Sequence, residues 1–267
     1  MPLVETRGLH FRYPGTRRHG AHPWTLEDIN LDIDKGSSVG IVGESGSGKS
    51  TLVRILCGLM VHQQGDVRFN GRDLKDWLDS NSREIRRHNQ IVFQSPRRSL
   101  DPRMTIRRSL SEPVRAIERR KPPDEEITGW LRRVGLNEEI LPRYPHQLSG
   151  GQLQRVGVAR ALSVNPDVLY ADEPTSALDV SVQAQVLNLL MNIRVQLGLT
   201  LVMISHDLAV ISRTCEQIIV MKDGRIVEAG PMKEILSRSS DPYTTSLVQS
   251  ARMVSLKALS GDEPGTS

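Results

Sequence analysis

The residues best suited to chemistry lie in a glycine-rich segment, residues 43–50, with the sequence GESGSGKS. Its glycines allow the backbone to curl so that successive N–H groups point at phosphate oxygens, and a helix starting there adds the positive end of its dipole. Lys49 supplies a point charge for β- and γ-phosphates, Ser50 can bind Mg²⁺ through its hydroxyl, and Thr51 can reach an α-phosphate. The spacing G-x-x-x-x-G-K-[ST] therefore predicts a site for nucleotide phosphates.

Two acids follow an apolar run at 168–171. Asp172 and Glu173 stand at its end. Many buried strands end in acidic turns, so the pair alone is ambiguous. Beside a phosphate loop, Asp172 can hold Mg²⁺ through its water shell, and Glu173 can act as the general base for an attacking water. The sequence contains no N-K-x-D motif, which would select guanine, so we expect adenine as the base.

A second glycine-containing segment, LSGGQ at 148–152, offers another anion site. Ser149, Gly150 and Gly151 precede an amphipathic stretch, and the start of a helix attracts anions. The alternative is an ordinary serine N-cap followed by flexible glycines. If both helix starts serve one γ-phosphate, they must approach it from opposite sides. The second one should then come from a partner chain.

The predicted elements place these residues in an α/β arrangement. Alternating or apolar runs predict strands at 3–13, 28–34, 38–42, 168–171 and 199–204, and a hairpin of 218–221 and 225–228 around Asp223-Gly224. Helical patterns occur at 49–60, 124–136, 150–164 and 180–197, and a loop at 14–23. The phosphate loop thus lies between a strand and a helix. The order of elements predicts an α/β core interrupted by a helical subdomain.

The composition of the chain excludes several broad classes of protein. The 267 residues are 38% hydrophobic and 25% charged, which is enough chain for a full core and excludes low-complexity disorder. The sequence has neither a signal-peptide pattern nor an apolar run of about 20 residues, so we expect no membrane insertion. Two distant cysteines, Cys57 and Cys215, favour a reducing compartment. The net charge of +4 says little about partners.

An arginine-rich stretch at 97–120 has two interpretations from charge alone. It can be a solvated face or a nucleic-acid surface. Aromatic residues that would stack on single-stranded bases do not alternate with these arginines. We therefore expect no nucleic acid partner.

Taken together, the motifs resemble the nucleotide-binding subunit of an ABC transporter. The resemblance covers nearly the whole chain, with no departure at a core motif. GESGSGKS resembles the Walker A loop, VLYADE the Walker B strand and LSGGQ the family signature. Gln94 in IVFQSP resembles the Q-loop, residues 176–179 the D-loop, and His206 in MISHD the switch histidine. Tyr13 in FRYPG resembles the aromatic residue that stacks on adenine.

The resemblance implies a fold and a domain plan. The fold class would be α/β, with a P-loop (RecA-like) ATPase core, an N-terminal antiparallel β subdomain and an inserted helical subdomain. An ABC ATPase domain would cover residues 1–240, with the helical insert at about 95–165. A short C-terminal extension, residues 241–267, would end in a frayed tail.

The resemblance also assigns roles to residues, with ATP and Mg²⁺ as cofactors. The catalytic residues would be Glu173, His206, Gln94 and Lys49. The ligands of Mg²⁺ would be Ser50, Gln94 and Asp172. Nucleotide would contact a larger set: Tyr13, Gly43, Glu44, Ser45, Gly46, Ser47, Gly48, Lys49, Ser50, Thr51, Ser149, Gly150, Gly151, Gln152 and Asp179. Taken singly, Tyr13, Gln94 and His206 could equally be surface or strand-end residues.

Sub-family features resemble the oligopeptide/dipeptide/nickel importer branch. They are FQSPRRSLDPRMT, ADEPTSALDVSVQAQVLNLL and DPYTTSLVQS. The implied partners are two transmembrane permease subunits, a second ATPase subunit that is identical or related, and an extracytoplasmic solute-binding protein that acts through the complex. The arginine-rich stretch at 97–120 would lie near the surface that docks on the permease subunits. The protein would then be peripheral, at the cytoplasmic face of the inner or plasma membrane. Some members of this branch carry an iron–sulfur cluster on C-terminal cysteines, which we do not expect here because no cysteine follows Cys215.

The implied activity is ATP hydrolysis that closes a dimer and drives import. Peptides are the first expectation for the cargo, with nickel import or phosphonate metabolism as alternatives within the same branch. An ABC-type ATPase acting on DNA or ribosomes would need a long coiled-coil insert or two ATPase units. A non-hydrolysing regulator would lack Glu173 or the signature, and this chain has both.

Overall fold

Strands and helices alternate along most of the chain in the computed structural model, which describes residues 1–14, 24–176 and 178–260. The strands are β1 (Val4–Phe11), β2 (Leu26–Ile33), β3 (Ser38–Val42), β4 (Gln64–Phe69), β5 (Arg72–Asp73), β6 (Asn89–Val92), β7 (Val168–Asp172), β8 (Thr200–Ile204), β9 (Gln217–Lys222) and β10 (Arg225–Pro231). The helices are α1 (Lys49–Leu56), α2 (Leu74–His88), α3 (Pro96–Ser99), α4 (Ile106–Ile117), α5 (Asp124–Arg133), α6 (Gly150–Leu162), α7 (Val180–Leu197), α8 (Leu208–Thr214), α9 (Met232–Arg238) and α10 (Pro242–Ser260). Within these residues, no helix combines the length and the hydropathy of a membrane-spanning segment.

The larger sheet positions the residues that the sequence singled out. Its strand order is β10-β9-β3-β8-β7-β6, and all its pairings are parallel except β9 with β10. Every residue of β3, β7 and β8 is buried, as expected for parallel strands that are covered on both faces. Because parallel strands end at the same edge of a sheet, the segments that follow β3, β8, β7 and β6 lie side by side.

A smaller antiparallel sheet, with the order β2-β1-β4-β5, packs on one side of the larger one. Their shared core includes Leu9 of β1, Ile29 of β2, Leu52 of α1 and Tyr170 of β7. Helix α1 thus joins the two sheets. The end of β1 brings the chain to Tyr13, close to the start of α1.

A second core covers the opposite face of the larger sheet. It joins Leu201 and Met203 of β8 to Leu110 of α4, Leu131 of α5 and Val158 of α6. Helices α3 to α6 all lie between β6 and β7 in the chain, where the sequence predicts a helical insert. The bounds of that insert, and of the domains, stay a prediction.

The structure changes several predicted boundaries. The helix predicted at 49–60 ends at Leu56, because Gly58 takes a left-handed conformation with φ of +73° just beyond it. The hairpin is confirmed as β9 and β10, and Asp223 and Gly224 have the positive φ angles of its turn, +49° and +80°. Most of the predicted loop at 14–23 and the end of the predicted frayed tail lie outside the described residues.

Candidate active site

A cavity of about 600 Å³ opens where the parallel strands end. The segments that line it follow β1, β3, β6, β7 and β8, and they include most of the predicted site. The lining residues are Tyr13, Thr25, Ser45, Gly46, Gly48, Lys49, Ser50, Thr51, Gln94, Asp172, Glu173 and His206.

The phosphate loop curls tightly around the Lys49 side chain. Lys49 Nζ donates hydrogen bonds to the carbonyl oxygens of Gly43 and Glu44, at 2.8 and 2.7 Å, and lies 3.3 Å from Ser47 Oγ. Burial lowers the pKa of Lys49, and the charges of Glu173, Asp172 and Glu44 oppose this shift. The loop therefore holds a buried cation beside several acids.

The tight curl requires a glycine at position 43. A Cβ atom there would lie 2.1 Å from the carbonyl oxygen of Met221, at the end of β9. No side chain could fit without displacing the backbone of the neighbouring strand. Helix α1 then begins at Lys49 after Gly48, with no side-chain cap on its first turn. Its first N–H groups are therefore available to an anion.

Asp172 and Ser50 form a pair suited to a divalent cation. Ser50 Oγ donates to Asp172 Oδ1 at 3.1 Å. Neighbouring ligands of an octahedral Mg²⁺, each about 2.0–2.1 Å from the ion, are roughly 2.9 Å apart. Burial raises the pKa of Asp172, and the Ser50 hydrogen bond acts in the opposite direction. A hydroxyl and a carboxylate oxygen at this spacing fit Mg²⁺, and no group of three or more His, Cys, Asp or Glu residues in the described chain offers another metal site.

Glu173 adopts an unusual backbone conformation, with φ of +46°. Its N–H donates to the carbonyl of Ile204 at 3.0 Å, which ties the turn to the end of β8. The side chain lies between two neighbours: Oε2 accepts from Gln94 Nε2 at 3.0 Å, and Oε1 is 3.2 Å from His206 Nδ1. Three neighbouring strand ends thus fix one carboxylate.

Tyr13 closes the other end of the cavity. Its hydroxyl is 3.2 Å from Thr51 Oγ1, and its ring packs edge-on against Phe11 with centroids 5.0 Å apart. Thr25 also lines this end. The sequence reasoning missed Thr25, and no spacing signal marks it.

The signature segment does not line this cavity. Ser149 caps α6 by accepting from the N–H of Gln152 at 3.3 Å, while Gln152 Oε1 accepts from the N–H of Ser149 at 3.0 Å. A Cβ atom on Gly151 would lie 2.6 Å from Val182 Cγ1 of α7, and one on Gly150 would lie 3.2 Å from Leu178. The segment therefore packs closely on the start of α7 within the same chain.

The D-loop residue Asp179 also lies outside the cavity lining. Its carboxylate caps α7 by accepting from the N–H of Val182 at 2.9 Å, and this bond lowers the pKa of Asp179. The side chain of Gln183 donates to the carbonyls of Thr175 and Leu178, which shapes the preceding turn. Ala177 of this loop lies outside the described residues.

One further contact to the phosphate loop was missed from the sequence. Tyr243, in the first turn of α10, accepts a hydrogen bond from the N–H of Glu44 at 2.9 Å. The sequence signal available was Asp241 followed by Pro242, a typical helix start. That signal predicts α10, but it does not predict a contact with a residue 199 positions away.

Comparison with known proteins finds a matching family model and similar ATP-binding proteins. A model of the ABC transporter family matches residues 26–176. A glutathione import ATP-binding protein of Pectobacterium atrosepticum is 43% identical over 253 residues, and a putative peptide import ATP-binding protein of Brucella ovis is 42% identical over 249. Each alignment covers 92% of this chain, but the chain spans only 41% of the Pectobacterium protein and 78% of the Brucella protein.

A solved structure extends the likeness to three dimensions. An ATP-binding cassette, described as a dimer in a post-hydrolysis state bound to ADP and Pi, superposes with a TM-score of 0.75 at 32% identity. The match covers 86% of this chain and 98% of that one. It confirms the predicted fold class, an α/β P-loop ATPase core with an antiparallel β part and a helical part.

Proposed function

The chain belongs to the ABC transporter family, and on that premise we propose that it is the subunit that binds and hydrolyses ATP to energise import of peptides or a related small solute. One observation carries the proposal. A single cavity unites the phosphate loop, the Ser50–Asp172 pair and a Glu173 carboxylate held by Gln94 and His206. The peptide cargo is inferred from the relatives, which are named for import of glutathione and of peptides.

Binding would use the loop and the start of α1. The N–H groups there would surround the phosphates. Lys49 has three donors, so it would keep the Gly43 carbonyl and turn the others to β- and γ-phosphate oxygens. Tyr13 would offer its ring to adenine. Ser50, Asp172 and the Gln94 amide oxygen would hold Mg²⁺, which would neutralise charge on the β- and γ-phosphates.

Hydrolysis would place a water beside Glu173. The water oxygen attacks the γ-phosphorus, the bond from that phosphorus to the β–γ bridging oxygen breaks, and the water proton passes to the Glu173 carboxylate. Gln94 and His206 orient that carboxylate through the two contacts seen here. His206 would also contact the γ-phosphate and respond to its loss.

A second ATPase subunit, identical or related, would complete each site. Ser149, Gly150 and Gly151 open α6 but lie outside the chain's own cavity. This helix start would therefore serve a nucleotide bound to the partner subunit. Asp179 and Gln152 would lie at the same interface. The dimeric state described for the solved relative supports this arrangement.

The remaining partners follow from the importer assignment. Two transmembrane permease subunits would bind the ATPase dimer and keep it peripheral, at the cytoplasmic face of the membrane. An extracytoplasmic solute-binding protein would deliver the cargo through the complex. Purification from membranes followed by mass-spectrometric identification of bound proteins tests this arrangement, and recovery of nucleic-acid-processing proteins in place of permeases would contradict it.

The primary test is the Lys49→Ala variant. Removing the ammonium deletes the charge that pairs the β- and γ-phosphates, so we expect ATP binding to fall below detection in calorimetry. Lys121→Ala is the matched control, because Lys121 is an exposed cation outside the cavity. Wild-type ATP affinity in Lys49→Ala would overturn the proposed function.

A further inference from the structure

A side chain of the C-terminal helix contacts the backbone of the phosphate loop. We propose that Tyr243 is a positioning residue for this loop: its hydroxyl fixes the Gly43–Glu44 peptide unit, which in turn holds the Lys49 ammonium. The inference rests on the proposed function, since it concerns the loop that would bind ATP.

The argument begins with one peptide unit that is held at both ends. Its N–H, on Glu44, donates to Tyr243 Oη at 2.9 Å. Its carbonyl, on Gly43, accepts from Lys49 Nζ at 2.8 Å. A peptide unit is planar, so fixing the N–H end also fixes the direction of the carbonyl. Tyr243 therefore sets the orientation of an oxygen that holds Lys49.

The first turn of α10 holds the backbone of Tyr243. Asp241 Oδ1 accepts from the N–H groups of Tyr243 and Thr244, at 2.9 and 3.0 Å. The Glu228 carboxylate on β10 accepts from both the N–H and the hydroxyl of Ser240, at 2.8 and 2.9 Å. The helix start is thus fastened to the larger sheet just before Tyr243.

A separate contact holds the Tyr243 ring. Lys222 Nζ, at the end of β9, lies 5.0 Å from the ring centroid, a cation–π distance. The residue before it, Met221, is the one whose carbonyl leaves no room for a side chain on Gly43. Burial raises the pKa of Tyr243, so a neutral hydroxyl accepts the Glu44 N–H. The first turn of α10, the Tyr243 ring and the phosphate loop therefore lie together at the end of β9.

Loss of the hydroxyl would free this peptide unit to rotate. One neutral hydrogen bond contributes about 0.5–1.5 kcal/mol, which corresponds to about a two- to twelvefold change in affinity. We expect Tyr243→Phe to weaken ATP binding by that factor and to raise KM to match. The kcat value should stay within about twofold, because Tyr243 does not line the cavity that Gln94, Asp172, Glu173 and His206 line.

The experiment compares Tyr243→Phe with Tyr144→Phe in the full chain. Both variants lose one phenolic hydroxyl, but Tyr144 stacks on His146 and does not line the cavity. Calorimetry gives the ATP affinity, and steady-state hydrolysis gives KM and kcat. A selective loss of affinity in Tyr243→Phe supports the inference. Equal affinities in the two variants and the wild type, or a fall confined to kcat, would overturn it.

A second measurement needs no variant. Hydrogen exchange of the Glu44 amide in the nucleotide-free wild-type protein should be slowed at least tenfold relative to an exposed amide, because Tyr243 accepts its proton. Exchange at the exposed rate overturns the inference even if Tyr243→Phe does not fold. Failure of the wild-type chain to bind ATP would instead defeat the proposed function, so the two failures are distinguishable.

Discussion

Glu173 has the least favourable backbone conformation in the candidate site. A left-handed conformation at a residue other than glycine costs about 1–3 kcal/mol and persists only where its surroundings enforce it. Here the Ile204 carbonyl accepts the Glu173 N–H at 3.0 Å, and Gln94 and His206 hold the side chain. Asp172 instead accepts from Ser50, so the two adjacent acids have different partners.

Replacing Glu173 by glutamine tests the general-base role. The amide matches the carboxylate in shape, but it cannot take the proton of the attacking water. We expect hydrolysis to fall by about 10²–10⁴-fold. ATP binding should remain, and light scattering should detect a stable dimer with ATP. Glu138→Gln, at an exposed acid outside the cavity, is the control; normal turnover by Glu173→Gln would remove this residue from the role.

We expect the charged Asp172 side chain, a proposed Mg²⁺ ligand, to destabilise the nucleotide-free folded protein. Burial raises its pKa, so at neutral pH the charged form is less favourable in the folded protein than in the unfolded chain. Asp172→Asn removes that charge and keeps an oxygen that can accept from Ser50. We expect the Tm of the nucleotide-free variant at pH 7 to exceed that of the wild type by roughly 1–4 °C. Mg²⁺-dependent hydrolysis should be lost.

The raised pKa of Asp172 determines how the Tm difference between Asp172→Asn and the wild type changes with pH. As the pH falls, the folded wild-type carboxyl takes a proton before the unfolded chain does, so the penalty disappears and the two Tm values converge. Thermal scans between pH 7 and pH 4 measure this, with Asp79→Asn, at an exposed acid in α2, as the control. A constant difference in Tm across this range would contradict the assignment.

At the scale of elements, the contact between α6 and α7 determines how the signature can be tested. An aspartate at Gly151 would add charge, but its Cβ would also lie 2.6 Å from Val182 Cγ1. Any loss of activity would then mix repulsion with a steric clash. Ser149 avoids this problem, because aspartate and asparagine cap a helix about as well as serine.

We therefore expect Ser149→Asp and Ser149→Asn to differ. Both keep a cap on α6, but in the proposed shared site only the aspartate would place a negative charge against the partner's γ-phosphate. Like charges about 4 Å apart repel by roughly 4 kcal/mol at an effective dielectric near 20. In the Glu173→Gln background, light scattering with ATP should show dimers for Ser149→Asn and monomers for Ser149→Asp. If the Ser149→Asp monomer cannot bind ATP, the signature belongs to the chain's own site and the shared-site arrangement is wrong.

Elements with one dominant local signal could be predicted from the sequence. The strands β3 and β8 appear as apolar runs because both of their faces are buried, and the β9–β10 hairpin follows from Asp223-Gly224. Helix α2 gave no such signal. Only Leu74 and Ile85 are buried within it, and Asn81 interrupts its helical geometry. A short apolar stripe broken by a kink does not produce a clear period.

Only part of the candidate site has a local sequence signal. Lys49, Ser50 and Asp172 could be predicted because local spacing and the strand-end rule place them together. The contact of Tyr243 with Glu44 could not, since it depends on where α10 docks after the sheet has formed. The signature was predicted as an anion site, but its packing against Val182 requires the path of α7.

At the scale of the whole molecule, the strand order interleaves distant parts of the chain. Strand β3, which leads into the phosphate loop, pairs with β8 and β9 and with no strand from the first half of the sequence among the described residues. Leu201 and Gln217 are the first residues that can supply those pairings. Such long-range pairing makes the central sheet slow to form.

This order has a consequence for synthesis on the ribosome. The phosphate loop emerges early, but its supporting strands follow only after roughly 160–175 further residues, about 8–35 s at ordinary elongation rates of 5–20 residues per second. During that interval the nascent chain exposes β3, an apolar strand without partners. We expect a chaperone to bind this strand during synthesis. We also expect the chain to become able to bind nucleotide only near the end of translation.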